Sequence, residues 1–273
     1  IVGVHRMRYA IFLMYMRRED SGPGMRNVFF TISSWNYLHY SRTVASSFAR
    51  YHPDFSCVIA ICDTPRGDLG EDLFPEFDDH VFFDDLDLPD RRALSFRYDV
   101  MELNTAIKPT MFRRLFAEGF DRVIYLDPDI FAYRRFDELL AAFDAGASSI
   151  LTPHALEPNL HAEGPNDLTF MRAGVYNLGF LALAKTKETL DLLQWWETRL
   201  QKECVWTRIS DGIFVDQKFM DLCPAYCPGT YILRLTARDT RGETISYYES
   251  SPGRRRTTKV APTVRVLGID VAF

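Results

Sequence analysis

Arg122-Val-Ile-Tyr-Leu-Asp-Pro-Asp-Ile-Phe131 is the stretch on which the fold turns. Val123 to Leu126 is a short apolar run with β-branched and aromatic members, the composition of a buried strand. It breaks off at Asp127-Pro128-Asp129, because a proline donates nothing to a strand ladder and holds the residue before it extended. Two carboxylates, one residue apart, are thereby presented at the carboxyl end of a core strand, the edge at which open α/β sheets take their ligands. Hard oxygen donors so placed suit Mn²⁺ or Mg²⁺ shared with substrate phosphates. The plainer reading is a pair of carboxylates in a solvated turn. The apolar strand directly ahead favours the metal.

Just upstream, Tyr98 to Ile107 reads as a helix, followed by Lys108-Pro109 and a second helix to Glu118. Pro109 suits a first helical turn, and Gly119 closes the helix and delivers the chain into the strand. Lys108 then faces either the edge that carries the carboxylates or solvent; spacing does not choose between them. Further back, Val28 to Ile32 is a strand, Ser33-Ser34-Trp35-Asn36-Tyr37 a polar and aromatic loop, and Leu38 to Tyr51 a helix with Val44, Phe48 and Tyr51 on one face. His52-Pro53 ends that helix, and Ser56 to Ile61 is the second strand. A strand-helix-strand opening calls for a mainly parallel sheet. No GxGxxG or GxxxxGK[ST] accompanies it, which disfavours a dinucleotide site or P-loop. Residues 63–98 read as acidic and irregular, with one short strand at Val81 to Phe83.

Downstream, Phe136 to Phe143 reads as helix and Ser149 to Leu151 as strand. Residues 153–172 form a long loop with His154, Glu157, His161 and Glu163, and loops of that length tend to be functional. Its histidines are candidate metal ligands or ordinary surface polars. Gly174-Val-Tyr-Asn-Leu-Gly-Phe-Leu-Ala-Leu183 reads as a strand holding Asn177 and Gly179, and a glycine there marks close approach of a ligand or another backbone. Thr186 to Glu203 is a helix with Leu190, Leu193 and Leu200 towards the core and Trp195 and Trp196 nearby. Asp216-Gln217 is a polar pair among apolar neighbours, costly to bury without partners.

The 273 residues, 47% of them hydrophobic, suffice for one large α/β core. No run approaches the roughly 18 apolar residues that span a membrane. Five cysteines, an odd number without framework spacing, argue for reduced thiols and a cytoplasmic setting. Cys223 and Cys227 lack the second pair a zinc site needs. The overall charge is −5; with +2 on residues 1–24 and +4 on residues 229–273, residues 25–228 carry −11. So acidic a body excludes nucleic acid as a partner, and makes a metal the natural means of holding a phosphate.

The chain resembles the GT-A glycosyltransferases that use nucleotide-diphosphate sugars. It is most similar to the retaining family eight enzymes, which include glycogenin and bacterial lipopolysaccharide galactosyl- and glucosyltransferases. The landmarks are the opening strand and loop with Asn36-Tyr37, the Val123 to Ile130 run, Tyr176-Asn-Leu-Gly179 and Asp216-Gln217, in family order across residues 25–228. The resemblance implies an α/β GT-A domain, with a mainly parallel sheet flanked by helices, that moves a hexose from a donor such as a UDP-sugar to a glycan or lipid-linked acceptor. It implies that Asp127 and Asp129 hold Mn²⁺ or Mg²⁺, that Thr31, Ser33 and Asn36 meet the nucleoside, and that Lys108 supplies a basic diphosphate contact. Asn177 and Gly179 would lie by the sugar, with Asp216 and Gln217 where departure and attack occur.

The ends depart from that pattern. Residues 1–24 are expected to lie outside the packed unit, with Met25 as the natural start; a basic amphipathic segment at the inner face of a membrane is the competing reading. Residues 229–273 contain no histidine, whereas the family draws a third metal ligand from a late His-Phe-x-Gly element. The stretch 235–267 is expected to be out of frame, with a basic tail as the alternative. Two further classes fit parts of the pattern. A haloacid dehalogenase-like phosphatase also places DxD after an apolar strand, and an inactive sugar-nucleotide-binding protein would tolerate the altered C-terminus.

Overall fold

The computed structural model describes residues 24–65, 73–156, 158 and 167–234, with the backbone of two short strands at 265–266 and 269–270. The expectations for residues 1–23, for Glu157, His161 and Glu163, and for the frame of residues 235–264 lie outside the described residues.

In chain order come β1 (Asn27–Ser33), α1 (Leu38–Tyr51), β2 (Ser56–Ile61), β3 (Asp79–Phe82), α2 (Arg91–Arg97), α3 (Val100–Ala106) and α4 (Lys108–Ala117). Next are β4 (Arg122–Leu126), β5 (Phe131–Ala132), α5 (Asp137–Asp144), β6 (Ser149–Leu151), α6 (Asp167–Ala173) and β7 (Phe180–Ala184). The chain continues with α7 (Lys187–Glu203), α8 (Cys223–Tyr226), β8 (Thr230–Ile232), β9 (Arg265–Val266) and β10 (Ile269–Asp270).

Seven strands form a mostly parallel sheet in the order β3-β2-β1-β4-β7-β6-β8, flanked by helices in a mixed α/β architecture. β7 runs against both β4 and β6, while β8 lies parallel to β6. A small antiparallel sheet joins β5, β10 and β9. Strand alternation divides the core. Val28, Phe30 and Ile32 face the layer of Met111, Phe112, Leu193 and Trp196, whereas Phe29 faces Val44, Phe48, Leu139 and Phe143. That is the period-2 consequence of a sheet buried on both sides.

The chain leaves β1 towards β2 on one side, and β4 docks on the other, both parallel to β1. The strand order therefore reverses between β1 and β4, opening a crevice at their carboxyl ends. β7 is antiparallel, with Leu126 opposite Phe180, so its amino end reaches the same edge. The loops after β1, after β4 and before β7 converge there.

Several boundaries differ from the sequence reading. Residues 63–98 hold α2, capped by Asp90, whose side chain accepts from the Ala93 N–H. α3 begins after Asp99, where a capping box with Glu102 shortens the expected helix by two residues. The 153–172 loop contains the start of α6. Asn177 and Gly179 precede β7 instead of lying within it, because the Asn177 side chain takes the Gly179 N–H at 2.8 Å. Leu190 is 38% exposed, one turn round from the buried Leu193. β8 lies beyond residue 228 and its pairing with β6 carries the packed unit through Leu233. Pro109 and Gly119 behave as expected: α4 has proline in its first turn, and Gly119 takes φ +92° as the helix closes.

Candidate active site at the sheet switch point

The ladder between β4 and β7 ends at the Asp127 N–H, which donates to the Gly179 carbonyl at 2.8 Å. The chain then turns, with the Ile130 N–H returning to the Asp127 carbonyl at 3.2 Å. Asp127 and Asp129 are thereby thrown clear of the sheet. Gly179 is a true close approach: a Cβ there would stand 3.0 Å from Asn177 Oδ1 and 3.1 Å from Asp127 Oδ2. Asn177 spends Oδ1 on the Gly179 N–H and keeps its amide nitrogen as a donor.

Beneath these groups lies a buried cation. The α3–α4 junction brings Lys108 under the crevice, 2% exposed, where its ammonium donates to the Leu178 carbonyl at 3.0 Å. The same ammonium is 2.8 Å from Asp216 Oδ2 and 3.7 Å from Asp127 Oδ1. At 2.8 Å the Lys108–Asp216 contact is a buried ion pair. Burial alone would lower the Lys108 amine; Asp216 and then Asp127 overcome it and hold the amine above its ordinary range. Burial pushes the Asp216 carboxyl up, and Lys108 restrains that push. The pair is a fixed cation shared by two carboxylates.

Tyr125 completes the arrangement, and the sequence reading missed it. Its hydroxyl donates to Asp127 Oδ1 at 2.5 Å, and its ring lies 4.4 Å from the Lys108 ammonium. Its signal was a hydroxyl-bearing residue two places before Asp127 on the same strand face. Asp129 keeps an exposed face, yet its carboxyl is pushed up to about 6 by desolvation and then by the charge of Asp127.

The other candidates divide. Thr31 and Ser33 belong to β1, not to the loop, and both are buried. Thr31 Oγ1 has no partner among the described residues, and Ser33 Oγ donates to the Ser34 carbonyl at 3.1 Å. Asn36 is exposed in the 3₁₀ turn Trp35–Tyr37, accepting from Ser34 Oγ at 2.6 Å. That turn is tied to the end of β2, since the Trp35 N–H donates to Asp63 Oδ2 at 2.9 Å. Gln217 turns away from Asp216: its amide donates to the Ala173 carbonyl at 3.1 Å, and its Cγ would stand 2.9 Å from a Cβ on Gly174. Successive residues entering a 3₁₀ turn point in different directions, which splits the expected Asp216-Gln217 pair. His154 stacks on Phe170 at 5.0 Å and hydrogen-bonds Gln217.

Among the described residues no cluster of three His, Cys, Asp or Glu side chains could hold a metal alone. Asp127 and Asp129 are nevertheless hard donors beside an open face. They fit a divalent cation that takes its remaining ligands from water and substrate phosphate. None of the helices among the described residues is long and apolar enough to cross a membrane.

No family model matches the chain, and no curated protein does. Among solved structures it is similar to mouse xyloside xylosyltransferase 1, with 14% identity over 79% of this chain and 87% of that one, at a TM-score of 0.46. It is also similar to a galactosyltransferase, LgtC, in complex with donor and acceptor sugar analogues, with 17% identity over 78% and 73%, at a TM-score of 0.46. A third is the glycosyltransferase GlyE of Streptococcus pneumoniae, with 14% identity over 77% of this chain at a TM-score of 0.47; the chain spans only 45% of that protein.

Proposed function

We propose that this chain is a glycosyltransferase that moves a hexose from a nucleotide-diphosphate sugar, with a UDP-sugar as the expected donor, to a hydroxyl of a glycan or lipid-linked acceptor. The observation that carries the reading is Lys108, a buried ammonium 3.7 Å from Asp127 and 2.8 Å from Asp216, at the strand-order reversal. Open α/β sheets take their ligands at such a place, where Asp129 keeps an exposed carboxylate while Lys108 and Asp216 are buried.

Each residue then has work suited to its position. The exposed turn of Asn36 offers polar groups to the nucleoside. Asp127 and Asp129 hold Mn²⁺ or Mg²⁺, which when bound neutralises charge gathering on the leaving diphosphate. Tyr125 fixes the Asp127 carboxylate through its hydroxyl. Asn177 offers its free amide N–H to a sugar hydroxyl. Asp216, paired with the Lys108 ammonium at 2.8 Å, is the carboxylate that would stabilise an anomeric carbon becoming oxocarbenium-like. The acceptor oxygen bonds to that carbon as the bond to the diphosphate oxygen breaks, and the hydroxyl proton leaves with the diphosphate. Retention of configuration is part of the proposal and rests on the family resemblance.

Release of nucleoside diphosphate from a panel of nucleotide sugars, with Mn²⁺ and with EDTA, tests the reading. Asp127→Asn and Asp129→Asn should each lose at least tens-fold of that activity. Full turnover in both variants, or in excess EDTA, ends the metal-dependent reading. Inorganic phosphate released from phosphomonoesters would instead favour the phosphatase. Tight nucleotide-sugar binding without turnover would favour the inactive binding protein.

A further inference from the structure

Val215 is the non-glycine residue that takes a positive φ among the described residues, at +36°. Nothing in a valine favours this. A β-branched side chain crowds the backbone in the left-handed region, and valine has no polar group to compensate as asparagine does. The conformation is therefore imposed by the surroundings. Two hydrogen bonds bracket it. The Val215 N–H donates to the Val205 carbonyl at 3.1 Å, and the Asp216 carbonyl accepts from Trp196 Nε1 at 3.1 Å. Trp196 is fully buried on α7, so its indole is a fixed anchor. The next side chain along is the Asp216 carboxylate, 2.8 Å from Lys108.

We propose that Trp196 is a positioning residue. Together with the Val205 carbonyl it clamps Val215 at positive φ ahead of a right-handed Asp216, and that change of hand holds the Asp216 carboxylate against Lys108. A right-handed Val215 would rotate the following peptide and carry that carboxylate off the ammonium. The strain at Val215 is thus coupled to the charge presented to the sugar. The proposal rests on the glycosyl-transfer reading for its kinetic consequence, and on geometry alone for the clamp.

Trp196→Phe keeps an aromatic ring and removes the N–H donor. It should lower turnover at least tenfold while leaving nucleoside diphosphate affinity within about twofold, the split expected when only transition-state contacts move. Adding Val215→Gly to Trp196→Phe should restore most of the lost turnover, because glycine takes a positive φ without restraint. Independently of activity, Val215→Gly should unfold at a higher temperature than Val215→Ala, since both remove the branched side chain and only glycine relieves the backbone. The proposal is overturned if Trp196→Phe turns over within twofold of wild type, if the double variant is no faster than the single, or if alanine is the more stable replacement. Should wild type act on no nucleotide sugar, the glycosyl-transfer reading fails by itself. A crystal structure of Trp196→Phe then decides the clamp: Asp216 moved beyond ion-pair reach of Lys108 supports it, and an unmoved carboxylate overturns it.

Discussion

Lys108 and Asp216 face one another across 2.8 Å, each side chain only 3% exposed. Neither has water to fall back on. A pair of this kind adds little net stability over an apolar pair of similar volume, but removing one member strands the other's charge in a low-dielectric interior. Its presence at the strand-order reversal therefore calls for a reason other than packing, and under the proposed function fixed charge beside the substrate supplies one.

The first prediction follows directly. Lys108→Met should destabilise the fold by about 3–5 kcal/mol, because Asp216 is left buried without its cation. Combining it with Asp216→Leu should recover most of that loss. Urea unfolding of the two variants decides the matter, and a double variant no more stable than Lys108→Met would show that the pair is not the energetic unit described.

Gly179→Ala tests the crowding at the end of β4. The added methyl would stand 3.0 Å from Asn177 Oδ1 and 3.1 Å from Asp127 Oδ2, so one of the two oxygens has to yield by a few tenths of an ångström. The fold should lose no more than about 1–3 kcal/mol, the ordinary cost of overpacking. Mn²⁺-dependent nucleotide binding should weaken by an order of magnitude or so, since Asp127 is the freer of the two oxygens, and titration calorimetry would register it. Unchanged affinity would mean that the Asp127 position is not critical.

A pH dependence is built in at the other end of the sheet. His52 is fully buried between Phe48 and Phe136, and its Nε2 accepts the Phe136 N–H at 3.2 Å, so the fold requires the neutral ring. Burial, and then the charge of Arg135, push it down from 6.5 to about 4. An unfolded chain takes up this proton below about pH 6.5, the fold only below about pH 4. Stability from His52 is therefore fully present above pH 6.5 and is lost as pH falls from 6.5 towards 4, by roughly 3 kcal/mol in all. His52→Gln keeps an acceptor and lacks the titration, so it should flatten that limb of the stability curve. Parallel curves for the two proteins would remove His52 as the cause.

Much of this was legible in the chain, and the reasons are local. The run Val123 to Leu126 could only be a strand, and Pro128 had to stop it, so the edge carrying Asp127 followed from two rules. Helix α1 matched because Val44 and Phe48 repeat at helical spacing and His52-Pro53 ends the pattern. The glycine at 179 was read as marking close approach of a ligand or another backbone; what crowds it is the side chains of Asn177 and Asp127. What escaped depends on the third dimension. Helix α2 is short, with Leu94 its only buried residue, so it carries almost no periodic signal. The parting of Asp216 from Gln217 is set by a backbone turn at Val215 that no side-chain pattern announces. Lys108 could not be assigned to crevice or solvent by spacing; only the packed fold shows it sealed beneath Asp127 and Asp216.

Asp216 and Asp127 share one ammonium, yet the proposed function gives them different work, and this separates it from a purely structural account. Asp127 belongs to the metal and diphosphate end, so Asp127→Asn should abolish the Mn²⁺ dependence of nucleoside diphosphate binding along with turnover. Asp216 presents charge only where the sugar departs. Asp216→Asn keeps the shape and removes the charge, and should lower turnover by about a hundredfold, a loss near 2.7 kcal/mol of transition-state stabilisation, with nucleoside diphosphate affinity within a few-fold. Stranding Lys108 should cost stability under either account; if Asp216 did no more than neutralise Lys108 in the core, nucleotide affinity would fall together with turnover. Calorimetric binding of nucleoside diphosphate, set beside single-turnover transfer for the two variants, distinguishes the cases. Equal loss of binding and turnover in both variants would reduce Asp216 to a counter-ion, and unchanged turnover in Asp216→Asn would remove it from the chemistry altogether.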